Sequence, residues 1–197
     1  VMNDHKGFFA MMARMKYIER WALMRNSVSE NICEHSLEVA MLAHGLGIIG
    51  RKRFGKDLSP ERLAMLGMYH DCTEIITGDM PTPVKYANDE LKEAYKAIED
   101  SAAHRLLEML PEDLRAEYEL YFLPEQITPE EYRYVKAADK LSALIKCIEE
   151  EKTGNQEFRS AKQATYESLQ QMNMPEVTVF CEVFLPEYYK TLDELEH

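Results

Sequence analysis

Four side chains in this 197-residue chain have the types and spacing of a cation centre: His35, the adjacent pair His70-Asp71, and Asp139. They fall on or beside the apolar faces of three separate expected helices. An unpaired carboxylate in a core is costly, or shifts its pKa until it is neutral. Two imidazoles and two carboxylates that converge instead satisfy one another through a divalent cation. Mixed nitrogen and oxygen donors suit Mn, Fe, Co or Zn better than Ca. Four protein ligands leave room for water or substrate on a five- or six-coordinate ion. Singly, each residue has a plainer explanation. A lone histidine on an apolar face is more often a hydrogen-bonded core residue. Asp139 can cap a helix or pair with a nearby Lys or Arg, and an HD dipeptide recurs by chance. The joint pattern carries the argument. His5, His104 and His197 look peripheral, and His44 lies off the main stripe in a structural position.

The elements that must position these residues are helical, because strand alternation is weak and 3.6-residue periodicity recurs. A first helix is expected from Gly7 to Arg14, followed by an irregular stretch from Tyr17 to Ser29. A second runs from Asn31 to about Ile49, with Ile32, His35, Val39, Leu42, Leu46 and Ile49 on one face. Ser59-Pro60, a hydroxyl cap followed by proline, opens a third. It turns Leu63, Leu66 and Gly67 inward and carries His70 and Asp71 at its end. Thr77 to Pro83 holds Gly78, Pro81 and Pro83 and reads as a loop. Helices follow from Asn88 to Met109 and from Pro111. Thr128-Pro129-Glu130-Glu131 reads as a capping box that opens a helix to about Glu151. Val135, Ala138, Ser142 and Ile145 form its inner stripe, with Asp139 beside it. Two or three more helices fill the remainder, punctuated by Pro175 and Pro186.

Composition sets outer limits. The 46% hydrophobic and 29% charged residues are ordinary for a globular chain, and no repeat or flexible linker divides it, so one domain over 1–197 is expected. The 12 methionines fit helix packing. A formal net charge of -12 repels polyanions and argues against duplex nucleic acid or an anionic membrane as partner. A small phosphate remains compatible, because a cation and one or two basic side chains make a local positive pocket. Val1 to Gly7 shows no export pattern, and the longest apolar stretch, Val39 to Gly50, is too short to span a bilayer. Cys33, Cys72, Cys147 and Cys181 lack paired spacing and read as free thiols in a reducing cytoplasm.

The flanking residues carry a resemblance. The order His35, His70-Asp71, Asp139 is similar to the H…HD…D signature of HD-domain phosphohydrolases. Arg20-Trp21, Glu34-His35-Ser36, His70-Asp71-Cys72-Thr73-Glu74, the run from Thr77 to Tyr86, and Ala137-Ala138-Asp139-Lys140-Leu141-Ser142-Ala143 resemble the bacterial YfbR-like 5′-deoxynucleotidases nearly end to end. The Gly78-Asp79-Met80-Pro81-Thr82-Pro83 segment is far more specific than the HD dipeptide. The resemblance implies an all-α, single compact HD-domain bundle. It implies hydrolysis of 2′-deoxyribonucleoside 5′-monophosphates with one divalent cation, Co2+ or Mn2+, held by His35, His70, Asp71 and Asp139. Catalytic roles fall to Asp71, Arg20 and Glu74, the last contacting a coordinated water or protonating the leaving 5′-oxygen. Arg20 becomes the phosphate clamp, where alone it reads as a surface salt bridge. Trp21 lines the pocket, where alone it reads as core. Glu74 alone reads as an exposed helical residue. Substrate contacts fall to Arg20, Trp21, His35, Asp71, Asp79, Met80, Pro81 and Thr82, with Asp79 on the sugar 3′-hydroxyl and Thr82 at the pocket floor. Lys85 either steers substrate or is a solvated lysine. A homodimer is implied, and Phe180, Phe184, Leu185, Tyr188 and Tyr189 either supply its interface or finish one subunit's core.

Two other classes compete. HD proteins acting on dNTPs, alarmones or cyclic nucleotides should surround the site with more Lys and Arg than this chain offers. A cation-free helical interaction module should have lost ligands or Glu74, and none is missing.

Overall fold

A computed structural model describes residues 6–85 and 87–196 of the chain; His5 and His197 lie outside them. The described residues form helices, with no strand and one isolated bridge between Glu19 and Asn31. The order is α1 (Phe8–Met12), α2 (Ile32–Phe54), α3 (Pro60–Tyr69), α4 (Glu74–Thr77), α5 (Thr82–Lys85), α6 (Asp89–Leu107), α7 (Glu112–Phe122), α8 (Pro129–Lys152), α9 (Arg159–Gln171), α10 (Pro175–Val183) and α11 (Leu192–Leu195). Tighter 3-10 turns occupy Ala13–Tyr17, Pro124–Gln126 and Leu185–Tyr189.

Local chemistry explains the starts. Asn31 accepts from the backbone of Cys33 and Glu34, while Glu34 reaches back to Asn31 and closes a capping box. Ser59 caps α3 through Arg62 N–H, and Asn88 caps α6 through Leu91 N–H. Thr128 and Glu131 form the expected box on α8.

The first helix, expected to Arg14, gives way to 3-10 geometry after Met12. Elsewhere α2 and the Thr77 to Pro83 loop depart from the sequence expectation. Helix α2 continues past Ile49 to Phe54, because Gly50 costs too little to stop it. The stop is Gly55, left-handed at φ 64°, where a glycine has no Cβ to clash. The loop expected over Thr77 to Pro83 ends early. After Gly78 to Pro81, a single helical turn forms as Val84 and Lys85 N–H bond to the Pro81 carbonyl at 2.8 and 3.0 Å. Pro83 sits in that first turn, where its missing N–H needs no partner.

The core runs along α2, α3 and α8. Val39, Leu42, Ala43, Leu46 and Leu63 pack with Tyr134, Ala137, Ala138, Leu141, Leu144, Ile145 and Ile148. Helix α3 approaches α2 closely at Gly67, where a Cβ would stand 3.0 Å from the Ala40 Cα. A second cluster of Phe8, Met15, Ile32, Cys72, Leu106, Leu107 and Phe122 anchors the N-terminal helix and the turn after α3. Phe180 and Leu185 join the first cluster, and Tyr188 packs against it, while Phe184 and Tyr189 stay exposed. Helix α2 is long and apolar enough to cross a membrane by length and composition, unlike the shorter stretch weighed in the sequence. More than half of its most apolar window is buried against these neighbours.

Candidate active site

Helices α2 and α8 and the turn after α3 bring the four expected ligands together. His35 is fully buried on α2, facing Asp139 on α8. Its Nε2 lies 3.4 Å from Asp71 Oδ2 and 3.3 Å from Asp139 Oδ1. His70 Nε2 lies 3.1 and 4.0 Å from the same two oxygens. The ligand atoms of His35, His70 and Asp71 fall within 4.8 Å of one another. The backbone makes this possible by leaving α3 through i→i+3 bonds, Cys72 N–H to Tyr69 and Glu74 N–H to Asp71. That tight turn brings Glu74 into line with Asp71, because side chains at i and i+3 eclipse in 3-10 geometry.

The donor set fits a divalent cation. Both Nε2 atoms are buried and make no hydrogen bond. His70 Nδ1 lies 2.7 Å from the Gly67 carbonyl, which can only accept, so Nδ1 carries a proton and Nε2 is the nitrogen turned toward the carboxylates. Burial pushes Asp71 up, but His70 and His35 outweigh it and hold the carboxyl well below its usual range. Asp139 is likewise held down against its burial, chiefly by Lys136, whose Nζ lies 3.2 Å from Oδ2 while Oδ1 faces His35. Asp139 therefore does both things weighed for it, pairing with a lysine and joining the cluster. Burial and Arg20 lower His35, yet the facing carboxylates leave it raised. Two ionised carboxylates and two converging imidazoles make a field that favours positive charge between them.

Arg20 is a salt bridge, as its plainer explanation held, but a partly buried one. Nη1 donates to Glu30 Oε2 at 3.1 Å, and Nε is buried without a partner. Burial lowers its affinity for a proton, while Glu30, Asp71, Asp139 and Asp79 raise it further. Trp21 sits in the left-handed region at φ 60°, which a bulky residue seldom adopts. Its ring packs on Phe158 with centroids 5.3 Å apart, and Arg20 lies over it at 5.8 Å. Glu74 is 6% exposed rather than solvated, with Oε2 buried and unpartnered. Burial, then Asp71 and Asp79, push its carboxyl up to about 10. Asp79 is half-buried and also raised by burial, opposed by Arg20. Met80 and Pro81 are half-buried beside it, while Thr82 is exposed at the start of α5. Lys85 is not a free lysine: it bonds Glu99 at 2.8 Å and lies over the Tyr95 ring.

Sequence reasoning missed Glu30, Lys136 and the pair Lys146-Glu150. Lys136 was findable from its i,i+3 spacing to Asp139. Glu30 was not, because it ends an irregular stretch without period. Lys146 and Glu150 are 4% and 1% exposed and bond each other at 2.5 Å. Glu150 also accepts from Ser27 and Val28 N–H, tying the 21–30 segment to α8.

Comparison with known proteins identifies the family. Residues 7–188 match the family described as 5′-deoxynucleotidase YfbR-like. A 5′-deoxynucleotidase of Vibrio cholerae is 48% identical over 188 residues, covering 95% of this chain and 97% of the relative. The 5′-deoxynucleotidase YfbR of Shigella boydii is 46% identical over 188 residues, covering 95% and 94%. A Listeria innocua HD-domain phosphohydrolase superposes with TM-score 0.77 at 23% identity, covering 96% of this chain and 91% of that one. A cyanophage S-2L HD phosphohydrolase, solved with dA and one catalytic Zn2+ ion, superposes with TM-score 0.64 at 23% identity, covering 92% and 96%. The chain belongs to the YfbR-like 5′-deoxynucleotidases, phosphoric monoester hydrolases on an all-α HD fold.

Proposed function

We propose that this protein, a single-domain enzyme, releases phosphate from 2′-deoxyribonucleoside 5′-monophosphates at one divalent cation held by His35, His70, Asp71 and Asp139. The observation that carries the proposal is the pair of unpartnered Nε2 atoms aimed at two ionised carboxylates beside partly buried Arg20 and buried Glu74. When bound, the cation supplies Lewis acidity and an activated water. The mixed donors suit Mn, Fe, Co or Zn, and among these the family resemblance leads us to propose Co2+ or Mn2+. One Zn2+ beside dA in the cyanophage neighbour supports a single ion per site.

The chain's own groups do the rest. Arg20 spends one donor on Glu30 and keeps others of its planar fork for phosphoryl oxygens. Asp71 faces the reacting phosphate along with the cation. Glu74, protonated at neutral pH, gives its proton to the departing 5′-oxygen, which would otherwise leave as an alkoxide. Trp21, fixed by Glu30, walls the sugar, and Asp79 accepts from its 3′-hydroxyl. Met80, Pro81 and Thr82 frame that side. Lys85, tied to Glu99, contributes charge near the loop without reaching substrate.

We assign the protein to a reducing compartment, the cytoplasm, supported by four free thiols. We also assign it a homodimeric state, for which exposed Phe184 and Tyr189 offer apolar surface.

The test is phosphate release from deoxy and ribo 5′-monophosphates with Co2+, Mn2+, Mg2+ or EDTA, by wild type and Asp71→Ala. Cation-dependent release from deoxy substrates, lost in the variant, is expected. Release that survives both EDTA and Asp71→Ala would overturn the assignment, and release from dATP in preference to dAMP would move the substrate class.

A further inference from the structure

His35 Nδ1, the nitrogen turned away from the ligand cluster, lies 2.9 Å from Ser142 Oγ on α8. Ser142 Oγ in turn lies 2.5 Å from Glu38 Oε2. His35 and Ser142 are fully buried, and Glu38 sits one turn along α2 from His35. The donors can be assigned from chemistry alone. Ser142 has one hydroxyl proton, and an ionised carboxylate can only accept, so the proton goes to Glu38. The serine oxygen must then accept from His35, which places a proton on Nδ1 and the lone pair on Nε2. This is also an unusual use of a helical serine, which commonly bonds back to the carbonyl four residues earlier on its own helix. Here the hydroxyl spans α2 and α8 instead.

We propose that Glu38 and Ser142 are positioning residues that lock His35 in its Nδ1–H tautomer and so set the cation affinity of the site. The inference rests on the cation-centre reading above. It extends that reading to two residues with no place among the ligands or substrate contacts. His70 solves the same problem differently, through the Gly67 carbonyl. A carbonyl acceptor is fixed by the backbone, whereas a hydroxyl can rotate and donate the wrong way. Glu38 removes that freedom. Groups hydrogen-bonded behind a ligating histidine typically change metal affinity by about 10- to 100-fold when deleted.

The test is the dissociation constant for Co2+, measured by spectroscopic titration and independent of turnover, across a double-substitution cycle. Ser142→Ala should weaken Co2+ by about 10- to 100-fold, and Glu38→Gln by less. In the Ser142→Ala background, Glu38→Gln should cost nothing further, because its only path to His35 is gone. A merely electrostatic Glu38 would cost the same in both backgrounds, and that additivity would overturn the relay. Wild-type affinity in Ser142→Ala would overturn it too, while leaving the cation centre intact. A wild type that binds no Co2+ would remove both. If Ser142→Ala does not fold, 15N shifts of His35 in the metal-free wild type at mildly alkaline pH decide the matter. Protonated Nδ1 is expected there, and protonated Nε2 would refute the proposal.

Discussion

The Trp21 indole N–H donates to Glu30 Oε2 at 2.8 Å, the same oxygen that accepts from Arg20 Nη1. One carboxylate thus orients both Arg20, the proposed phosphate clamp, and Trp21, the proposed aromatic wall. The backbone reinforces it, since Arg20 N–H also bonds the Glu30 carbonyl at 2.8 Å. Hydrogen bonds to charged groups contribute about 1.5–3 kcal/mol, which corresponds to roughly 10- to 150-fold. We predict that Glu30→Ala lowers kcat/KM for dAMP within that range, mostly through KM, with a smaller loss in Glu30→Gln. Steady-state kinetics check this, and a change under twofold would show that Arg20 and Trp21 hold their places unaided.

Trp21 is strained at φ 60° and braced by Phe158, an arrangement that makes sense if the indole must stand in one place. If it walls the sugar 2′-position, shrinking it should admit ribose. We predict that Trp21→Ala narrows the dAMP-to-AMP ratio of kcat/KM. Steric exclusion of a hydroxyl is modest, so the change is about 10- to 100-fold at most. An unchanged ratio with lower overall activity would make Trp21 a packing residue and shift selectivity to the loop around Asp79.

The convergence of two histidines and two aspartates was legible in the sequence because helical period places His35 among Val39, Leu42 and Leu46, and Asp139 beside Ala138 and Ser142. The helix starts were legible for the same local reason: Ser59, Asn88 and Thr128 cap as their side chains dictate. What surrounds the cluster was not. Glu30 meets Arg20 and Trp21 through an irregular segment, and Glu150 meets Ser27 across more than a hundred residues, so no local pattern announces either. The burial of Glu74 also escaped notice. It accompanies the turn after Tyr69, where i→i+3 bonds form and Cys72 is buried in the cluster that includes Phe8 and Leu106.

Glu74 connects burial to pH. Its folded carboxyl is pushed to about 10 from an ordinary 4.5 by burial, Asp71 and Asp79. A carboxyl raised on folding holds its proton in the folded state while the unfolded chain has lost it. Stability of the metal-free protein therefore falls as pH rises through that window. We predict that Glu74→Gln melts higher than wild type at pH about 8 in EDTA, where the linkage term acts. The same substitution should lower kcat by about 100- to 10,000-fold and remove the alkaline fall in rate. Equal melting temperatures would show that Glu74 is ionised in the fold, and an unaltered kcat would give the leaving-group proton to another donor.

The Lys146-Glu150 pair offers a test of how the site is braced from behind. Glu150 takes Lys146, Asn155 and the backbone of Ser27 and Val28, and Lys146 donates to the Val28 carbonyl. Burial alone would raise Glu150, but these donors outweigh it and lower the carboxyl to about 2. A depressed carboxylate adds stability above its unfolded value of 4.5, and that stability drains away as pH falls from there toward about 2. Removing one partner of a buried pair costs about 3–5 kcal/mol, and a chain of this size loses about 2–4 °C in Tm per kcal/mol. We predict that Glu150→Gln lowers Tm by roughly 6–20 °C at neutral pH on that arithmetic. The deficit against wild type should shrink on acidification, because wild type loses the same contribution. Because Ser27 and Val28 lie a few residues beyond Trp21, the folded variant should also show a raised KM for dAMP. Thermal melts at stepped pH, with kinetics on the folded fraction, separate the two effects. A pH-independent deficit would mean that Glu150 works by packing alone, and a normal KM would free the 21–30 segment from its anchor on α8.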